Sequence, residues 1–389
     1  MNNESFIYVE PYVFTAVDNE KALFYNTLSG QHLLLKLNKQ ENGEFLKSII
    51  SSPTRSVQID KQQSNGIWET IQQLRDMHFC DIIMGGMPFI EPMSCKVLFN
   101  KSQAYGNYKR IISWVNQLSV ISNNGLFTDM DVFVNRKKYN TSSTYNIERV
   151  REFFSNIHFE KLKEVDYVGK YKSFDEIRWI FQVLPNICFS LHVNYMDVDF
   201  EDFKRIRSLC NQFHVILCFD RTVDKAQLCK VANYCNDLDI EFKGACIVES
   251  QNDIGFLESN TFNFKVIAIP LYDFNFDFIY DNICLSENDI LSQKMTQENI
   301  LTNMTVNSNF FGELILMPDN QIYTSFNSKP IGALGDEWCN ILDSLSDSSW
   351  FLTRNKMEPC SKCVFQYLCP PPSNYEIAIG KPNLCTVKP

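Results

Sequence analysis

The sequence predicts an α/β fold, because short β-rich segments alternate with amphipathic helical segments through the middle of the chain. This alternation begins near residue 100 and gives about six strands, most of them separated by helices. Such a pattern is typical of a parallel sheet that carries its helices outside and joins its strands by right-handed crossovers. A sheet of this size closes only in part, which favours a partial (β/α)6 barrel. The alternative is a doubly wound flat sheet.

The same pattern divides the chain into three segments, which are residues 1–90, 98–300 and 305–389. The first segment has strand-like stretches, "FIYVEPYVFTAV" and "KALFYNTLSGQHLLL", followed by two helices. The second of these helices carries Ile67, Trp68, Ile71 and Leu74 at helical spacing. We therefore expect a small winged-helix-like β/α module, then the barrel, then a cysteine-rich cap.

Composition excludes several classes of protein. The 389 residues are 45% hydrophobic, which allows a sizeable core, and the formal net charge is −10. An acidic chain without a dense basic patch argues against nucleic acid or an anionic membrane as a partner. The first residues, "MNNESFIYVE", lack the features of a secretory signal, and no apolar run is long enough to cross a bilayer. The expectation is a cytoplasmic protein with reduced cysteines.

Most of the 14 cysteines are predicted to be small buried side chains. They lie alone or in apolar stretches such as "VILCFD" and "NICFSL". The cysteines in this group are Cys80, Cys95, Cys188, Cys210, Cys218, Cys229, Cys235, Cys246, Cys284 and Cys339.

The other four cysteines, Cys360, Cys363, Cys369 and Cys385, fall in the last 30 residues. A Cys-x-x-Cys pair can bind one metal from a tight turn, and two further thiolates complete a four-sulfur shell. The spacing does not distinguish Zn²⁺ from an iron–sulfur cluster, since both accept four thiolates. Unliganded thiols are an alternative, whereas a disulfide conflicts with a cytoplasmic chain.

An aromatic stretch, "PLYDFNFDFIYDN", places Phe274, Phe276, Phe278 and Tyr280 at alternate positions. Alternation predicts a strand with one aromatic face. That face is either part of the core or a docking surface.

The C-terminal cysteines resemble the SPASM domain of radical-SAM peptide-modifying enzymes. In that pattern Cys360, Cys363, Cys369 and Cys385 match ligands of the outer auxiliary cluster, which implies one [4Fe–4S] cluster, with structural Zn²⁺ as the alternative. Other ligand positions have changed. Ser373 stands in place of a later cysteine, while Asn320 and Ser325 in "ELILMPDNQIYTSF" stand where the inner cluster has its glycine and a cysteine. The resemblance therefore implies that the inner cluster has lost its ligands.

The core of a radical-SAM enzyme needs Cys-x3-Cys-x2-Cys just after the first barrel strand. This chain has no cysteine between Cys95 and Cys188, so the ligands of the catalytic cluster are missing. We expect no catalytic residues of the radical-SAM type and no binding or cleavage of S-adenosylmethionine.

The first 90 residues resemble the PqqD-like element that captures leader peptides. Together, the three segments are similar to the pseudo-radical-SAM proteins, degenerate relatives of radical-SAM/SPASM maturases, of double-glycine peptide systems in Bacteroidales. The resemblance implies a non-catalytic accessory protein in the maturation of a ribosomally made peptide. Its partners would be the precursor leader, a radical-SAM maturase, or both, and Trp68, Ile71 and Leu74 would line the peptide site.

The alternative is an enzyme that uses the barrel mouth for non-radical chemistry. Asp129 and Asp131 follow the first predicted barrel strand, and His192 lies near the end of the third, "ICFSLHV". Barrel mouths are where catalytic residues normally lie.

Overall fold

The computed structural model describes most of the chain. The described residues are 4–37, 40–60, 64–86, 113–122, 147–155, 159–170, 174–184, 186–381 and 383–387.

The described residues of the N-terminal segment form six strands and two helices. Their bounds are β1 (Ser5–Val9), β2 (Val13–Val17), β3 (Lys21–Asn26), β4 (His32–Lys36), α1 (Gln40–Ser51), β5 (Ser56–Ile59), α2 (Asn65–Asp76) and β6 (Cys80–Met84).

These strands form two antiparallel sheets, in the orders β5-β1-β6 and β2-β3-β4. The two helices were expected from the sequence, whereas β5 and β6 were not. These two strands are short, with four and five residues. Their backbone groups are paired by β1, a long-range partner that local pattern does not reveal.

The middle of the chain alternates strands and helices. The strands are β7 (Gln117–Ile121), β8 (Glu164–Val168), β9 (Cys188–Asn194), β10 (Gln212–Phe219), β11 (Glu241–Val248) and β12 (Val266–Pro270). The helices are α3 (Ile147–Ser155), α4 (Asp175–Val183), α5 (Phe200–Leu209), α6 (Lys225–Asp237), α7 (Gln251–Ser259), α8 (Phe276–Ile283), α9 (Glu287–Ser292) and α10 (Gln297–Thr305).

The predicted α/β class is confirmed. Strands β7 to β12 are parallel and lie side by side in chain order, so the order never reverses as it would in a doubly wound sheet. The sheet continues beyond β7 through β13 (Glu313–Leu316), β14 (Gln321–Tyr323) and β15 (Gly332–Ala333), to make nine strands. The start of the C-terminal segment is thus hydrogen-bonded to the same sheet through the parallel β7–β13 pair.

The rest of the C-terminal segment is mostly short helices and turns. It includes α11 (Trp338–Leu345), α12 (Asn374–Ile379) and three 3₁₀ turns, at Ser349–Phe351, Arg354–Lys356 and Cys360–Lys362.

Apolar side chains cover both faces of the large sheet. The larger core includes Phe189, Leu191 and Val215 of the sheet and Phe203 and Ile206 of α5. A smaller cluster includes Ile121, Val168, Cys218 and Ala245, together with residues of β13 and β14. In a parallel sheet with helices on one face, this second cluster marks the opposite face. We call this side of the strands the inner face.

The predicted strand through Phe274, Phe276, Phe278 and Tyr280 is wrong. Residues from Phe276 to Ile283 form helix α8, in which Phe278 and Ile279 are buried. Their adjacent burial fits a helix better than strand alternation, in which neighbours point to opposite faces. The alternation of aromatic and polar residues was too short to separate the two periods.

The outer face of the β2-β3-β4 sheet packs against the C-terminal part of the chain. Phe14, Leu23 and Tyr25 share one buried cluster with Phe365 and Leu368, and residues of α9 and α10 belong to the same cluster. The Tyr25 hydroxyl donates to the Gln293 carbonyl at 3.1 Å, and Lys21 pairs with Glu287 at 3.2 Å. The N-terminal module therefore packs against the segment that contains Cys363 and Cys369.

The prediction of buried cysteines holds for five of that group and fails for two. Cys80, Cys210, Cys218, Cys235 and Cys246 are buried, and Cys188 and Cys284 are half-buried. Cys229 and Cys339 are exposed, because both lie on solvent-facing sides of helices α6 and α11. Cys95 lies outside the described residues. Within the described ranges, no helix combines the length and the apolar character needed to cross a membrane.

Candidate functional site

Three of the four C-terminal cysteines lie on one compact loop. Cys360 opens a 3₁₀ turn, and the backbone N–H of Cys363 donates to the Cys360 carbonyl at 3.0 Å. The N–H of Cys369 donates to the Phe365 carbonyl at 2.9 Å, which turns the chain a second time. We refer to residues 360–369 as the cysteine loop.

The fourth cysteine is brought back by a local backbone pairing. Cys385 forms an isolated parallel bridge with Leu285, in which the Leu285 N–H donates to the Leu384 carbonyl at 3.0 Å. The Thr386 N–H then donates to the Leu285 carbonyl at 2.9 Å. The return of the chain after α12 is therefore fixed against the segment that precedes α9.

Burial and the closeness of the four cysteines to one another raise the pKa values of the thiols. Burial raises the pKa of Cys363 to about 11 and that of Cys369 to about 12, and burial also raises the pKa of Cys360. Cys385 lies close enough to all three to raise their pKa values further, as a second anion would. The three buried thiols therefore hold their protons near neutral pH.

The donor set fits a metal by its chemistry. Four thiolates are the ligands that structural Zn²⁺ and [4Fe–4S] clusters take, and the residues that would hold either are Cys360, Cys363, Cys369 and Cys385. In the described residues, however, no group of three or more His, Cys, Asp or Glu side chains is arranged to hold a metal ion. Binding would have to draw the four sulfur atoms closer together.

A buried ion pair lies beside the thiols, and the sequence analysis missed it. Arg354 Nη1 lies 2.7 Å from Glu376 Oε1 and 3.6 Å from the Cys360 sulfur, and Arg354 Nε donates to the Pro370 carbonyl at 2.6 Å. Burial opposes the charged guanidinium, but the Glu376 carboxylate more than offsets this effect, so the pKa of Arg354 lies above its ordinary value.

Glu376 also organises the segment that leads to Cys385. It completes a capping box with Ser373 at the start of α12, and its Oε1 accepts from the Leu384 N–H at 3.3 Å. Ser373, which stands in place of a cysteine in the resembling family, is thus a helix cap. The Ser-x-x-Glu signature was the signal in the sequence that could have identified both residues.

Asn320 and Ser325, which the resemblance matches to the inner cluster, lie in and shortly after the turn that joins β13 and β14. Asn320 has φ = +64°, the left-handed conformation that glycine adopts most easily, in the turn between β13 and β14. The hydroxyl oxygens of Ser325 and Ser349 lie 2.8 Å apart and are buried. The Ser349 N–H donates to Thr324 Oγ1 at 3.2 Å. These hydroxyl groups therefore have hydrogen-bond partners within the chain.

The three predicted peptide-site residues occupy different environments. Ile71 and Leu74 are 1% and 0% exposed and belong to the core between the two N-terminal sheets and their helices. Trp68 is half-buried and packs against the same core together with Leu33 and Leu35 of β4. In this conformation a docked peptide could reach Trp68 but not the other two.

Strand β4 has one open edge among the described residues, because it pairs only with β3. The Leu37 N–H donates to the Glu20 carbonyl, and the Asn26 N–H donates to the Gln31 carbonyl. These two bonds show which residues of the β4 strand direct their backbone groups towards β3. In an antiparallel pair, every second residue then turns its backbone groups away from the partner. In β4 these outward residues are His32, Leu34 and Lys36.

The inner face of the large sheet carries paired ionisable groups. His192 lies within β9, and its Nε2 is 3.4 Å from Asp166 Oδ1 of the neighbouring strand. Gln117 Nε2 donates to the same carboxylate at 2.6 Å. Burial raises the pKa of Asp166, but the hydrogen bonds and charge of His192, together with hydrogen bonds from Gln117 and Ser190, more than offset it, so the pKa is lowered. Asp129 and Asp131 lie outside the described residues.

A second histidine, His214, lies between a thiol and a carboxylate near the amino ends of β9, β10 and β11. Cys188 Sγ is 3.5 Å from His214 Nδ1, and His214 Nε2 is 3.3 Å from Glu241 Oε2. No local pattern in the sequence predicts this arrangement, because only the register of β9, β10 and β11 brings the three residues together.

Comparison with known proteins found no family model and no curated protein that matches this chain.

Proposed function

We propose that the chain is a non-catalytic accessory protein in the maturation of a ribosomally synthesised peptide. It would bind the precursor leader, a partner radical-SAM maturase, or both. The proposal rests on the resemblance of the cysteine spacing and on the module that precedes the large sheet. In this proposal residues 98–300 form a partial (β/α)6 barrel that has lost its cluster ligands, and residues 305–389 form a SPASM-like cap.

The observation that carries the proposal is the open edge of β4. Unpaired N–H and C=O groups on a sheet edge are a template for another strand, and apolar side chains beside it select alternate residues of that strand. His32, Leu34 and Lys36 offer the backbone groups, and the half-buried Trp68 offers an apolar wall on the same module. Binding near micromolar, about −8 kcal/mol, fits one strand with few anchors.

The test is a proline that removes one outward donor. Lys36 is exposed and its N–H points away from β3, so Lys36→Pro leaves the β3–β4 ladder intact. The expected result is at least a tenfold loss of affinity for a synthetic double-glycine leader, measured by fluorescence anisotropy on the full-length protein. Lys36→Ala, which keeps the N–H, is the matched control. Equal binding by both variants would reject the β4 edge.

The neighbouring genes give an independent test. A small double-glycine precursor and an intact radical-SAM enzyme encoded beside this chain are expected, whereas a metabolic operon would contradict the proposal. The chain itself should release no more 5′-deoxyadenosine from S-adenosylmethionine, after anaerobic reconstitution and dithionite, than a cluster-free control does. Turnover above that control would contradict the non-catalytic role.

A second candidate function is favoured by the His192–Asp166 contact. An imidazole held by a buried carboxylate is a common general base, and here it lies on the inner face of a parallel sheet. The chain would then modify a substrate without a radical. Incubation of the precursor with the chain alone separates the two functions. An unchanged peptide mass supports the accessory role, and a change that His192→Gln abolishes supports the enzyme.

A further inference from the structure

The loop that follows β12 displays an aromatic side chain to solvent. Phe274 is 89% exposed, more than any other large apolar residue in the described part of the chain. Its φ is +58°, a conformation that a residue with a side chain adopts at some cost. A surface phenylalanine held in this way requires an explanation other than core packing.

Hydrogen bonds fix the loop in this shape. The Asn275 side chain donates to the Glu249 carbonyl at 2.7 Å and to the Leu271 carbonyl at 3.0 Å. It also accepts from the Asp273 N–H at 2.9 Å. Phe274 is therefore held outward by its neighbours, and little rotational freedom of the backbone would be lost if a partner bound there.

Phe274 belongs to a group that we call the aromatic patch, which consists of Tyr272, Phe274, Phe276 and Tyr280. The rings of Tyr272 and Phe274 are 5.9 Å apart, and those of Phe276 and Tyr280 are 6.2 Å apart. The patch follows the carboxyl end of β12, which is the edge strand of the large sheet.

The charges around the patch indicate what it binds. Asp277 and Asp281 on α8 are exposed, and neither makes an ion pair with a described residue. The chain also provides an example of the contact, because the Lys381 ammonium lies 4.6 Å from the centre of the Phe276 ring. A cation over an aromatic ring beside carboxylates is favourable, since the ring face and the carboxylates are both negative.

We infer that the aromatic patch is a docking surface for a basic segment of a partner polypeptide, one that combines lysine or arginine with apolar side chains. The occupant differs from the leader proposed above, since the patch is a different surface from the β4 edge. The inference therefore does not depend on leader recognition. The carboxylates disfavour an acidic partner and a nucleic acid.

The test uses a fluorescent peptide of alternating lysine and valine, with an alternating glutamate and valine peptide as its counterpart. The full-length protein should bind the basic peptide alone. Phe274→Ala should weaken that binding about tenfold, and Asp277→Asn with Asp281→Asn should weaken it and reduce its dependence on salt. Leu209→Ala is the matched control, because Leu209 is also exposed, at 52%, but lies at the end of α5 before β10.

Several outcomes would overturn the inference. Equal binding of the basic peptide by Phe274→Ala and the unmodified chain would show that the patch is not the site, as would equal binding of the acidic peptide. A dimer in sedimentation that Phe274→Ala dissociates would identify a second copy of this chain as the occupant instead. Phe274 is exposed, so its substitution should leave the melting temperature unchanged, and a lower melting temperature would show that the ring packs within the chain.

Discussion

The four thiols of the C-terminal segment and the Ser325–Ser349 pair show how buried thiols and buried hydroxyls differ. At Ser325, two hydroxyls lie 2.8 Å apart and satisfy each other in a fully buried place. At the cysteine loop, burial raises the pKa values of three thiols, and the Cys360 sulfur lies 3.6 Å from Arg354 Nη1. Buried hydroxyls satisfy each other by hydrogen bonding, whereas thiols are weak donors and acceptors, and four of them together can bind a metal as thiolates.

This contrast also explains the surroundings of each site. The serine site needs no charge, and its neighbours Thr324 and Ser349 are neutral. The thiol site lies against the Arg354 guanidinium, which would offset the negative charge of four thiolates around a metal. We therefore expect metal removal, charge removal and alkali to affect the thiol site and to leave the serine pair largely unchanged.

The largest expected effect is that of metal removal. Protein purified anaerobically should carry about four iron atoms or about one zinc per chain, by the composition of such sites. Chelation or Cys363→Ala should abolish the metal and lower the free energy of unfolding by several kcal/mol, because metal binding is coupled to folding. Metal analysis and urea denaturation measure both quantities.

Two variants control this experiment. Cys339→Ala removes an exposed thiol and should change neither metal content nor stability. Ser325→Ala should leave the metal content intact, since the Ser325 hydroxyl has its hydrogen-bond partner in Ser349. A chain that is fully folded and free of metal after anaerobic purification would contradict the four-thiol site.

The second effect concerns the ion pair beside the thiols. Arg354→Met leaves the Glu376 carboxylate buried without its partner and should cost about 3–5 kcal/mol of unfolding free energy. Arg354→Met combined with Glu376→Leu removes both charges and should recover part of that loss. Urea denaturation of both variants checks the expectation, and a double variant no more stable than the single one would contradict it.

The third effect is a difference in alkaline stability of the metal-free chain. A thiol whose folded pKa is about 11 or 12 lies above its ordinary value of 9.0, so the folded state holds the proton more tightly. That contribution is complete below pH 9 and is lost as pH rises towards the folded pKa. As pH rises from 8 to 10, each of the thiols Cys363 and Cys369 loses its proton in the unfolded state but keeps it in the folded state. Each should therefore lower the free energy of unfolding by about 1 kcal/mol.

The double variant Cys363→Ala with Cys369→Ala isolates this contribution. It should lose about 2 kcal/mol less than the unmodified chain over the same pH range, although other buried thiols titrate in both. Chemical denaturation of chelated protein at the two pH values measures the difference. Parallel losses in the two proteins would show that these thiols are not buried in the folded chain.

The smallest effect is at the serine pair. Ser325→Ala leaves the Ser349 hydroxyl buried without that partner and should cost about 1–2 kcal/mol, whereas replacing both serines by alanine should cost less than the sum of the single changes. Thermal and urea denaturation of the three variants form a double-mutant cycle. Strict additivity would mean that the hydroxyls do not interact.

Local patterns were enough to predict the α/β class, since helix periodicity and short apolar strands are encoded within a few residues. The pairs that give the sites their character were not predicted. Arg354 and Glu376 are 22 residues apart, and His192 meets Asp166 only through the register of two parallel strands. Such contacts depend on the tertiary fold, which a sequence pattern does not contain.

The prediction for the aromatic stretch at Phe274 was wrong, and strands β5 and β6 were not predicted, for a related reason. Each is shorter than the stretch over which a period of two can be told from a period of 3.6. The four cysteines could be singled out because the Cys-x-x-Cys spacing carries its own chemistry. Their burial beside the N-terminal module depends on contacts over more than 260 residues, as the Tyr25–Gln293 bond illustrates with its separation of 268.

That separation has a consequence for protein synthesis. The outer face of β2-β3-β4, with Phe14, Leu23 and Tyr25, leaves the ribosome long before its partners in α9, α10 and the cysteine loop exist. At roughly 5–20 residues per second, the gap lasts on the order of tens of seconds. During that time the apolar face is open to water and to chaperones, and the nascent chain completes its first module only when its last segment has emerged.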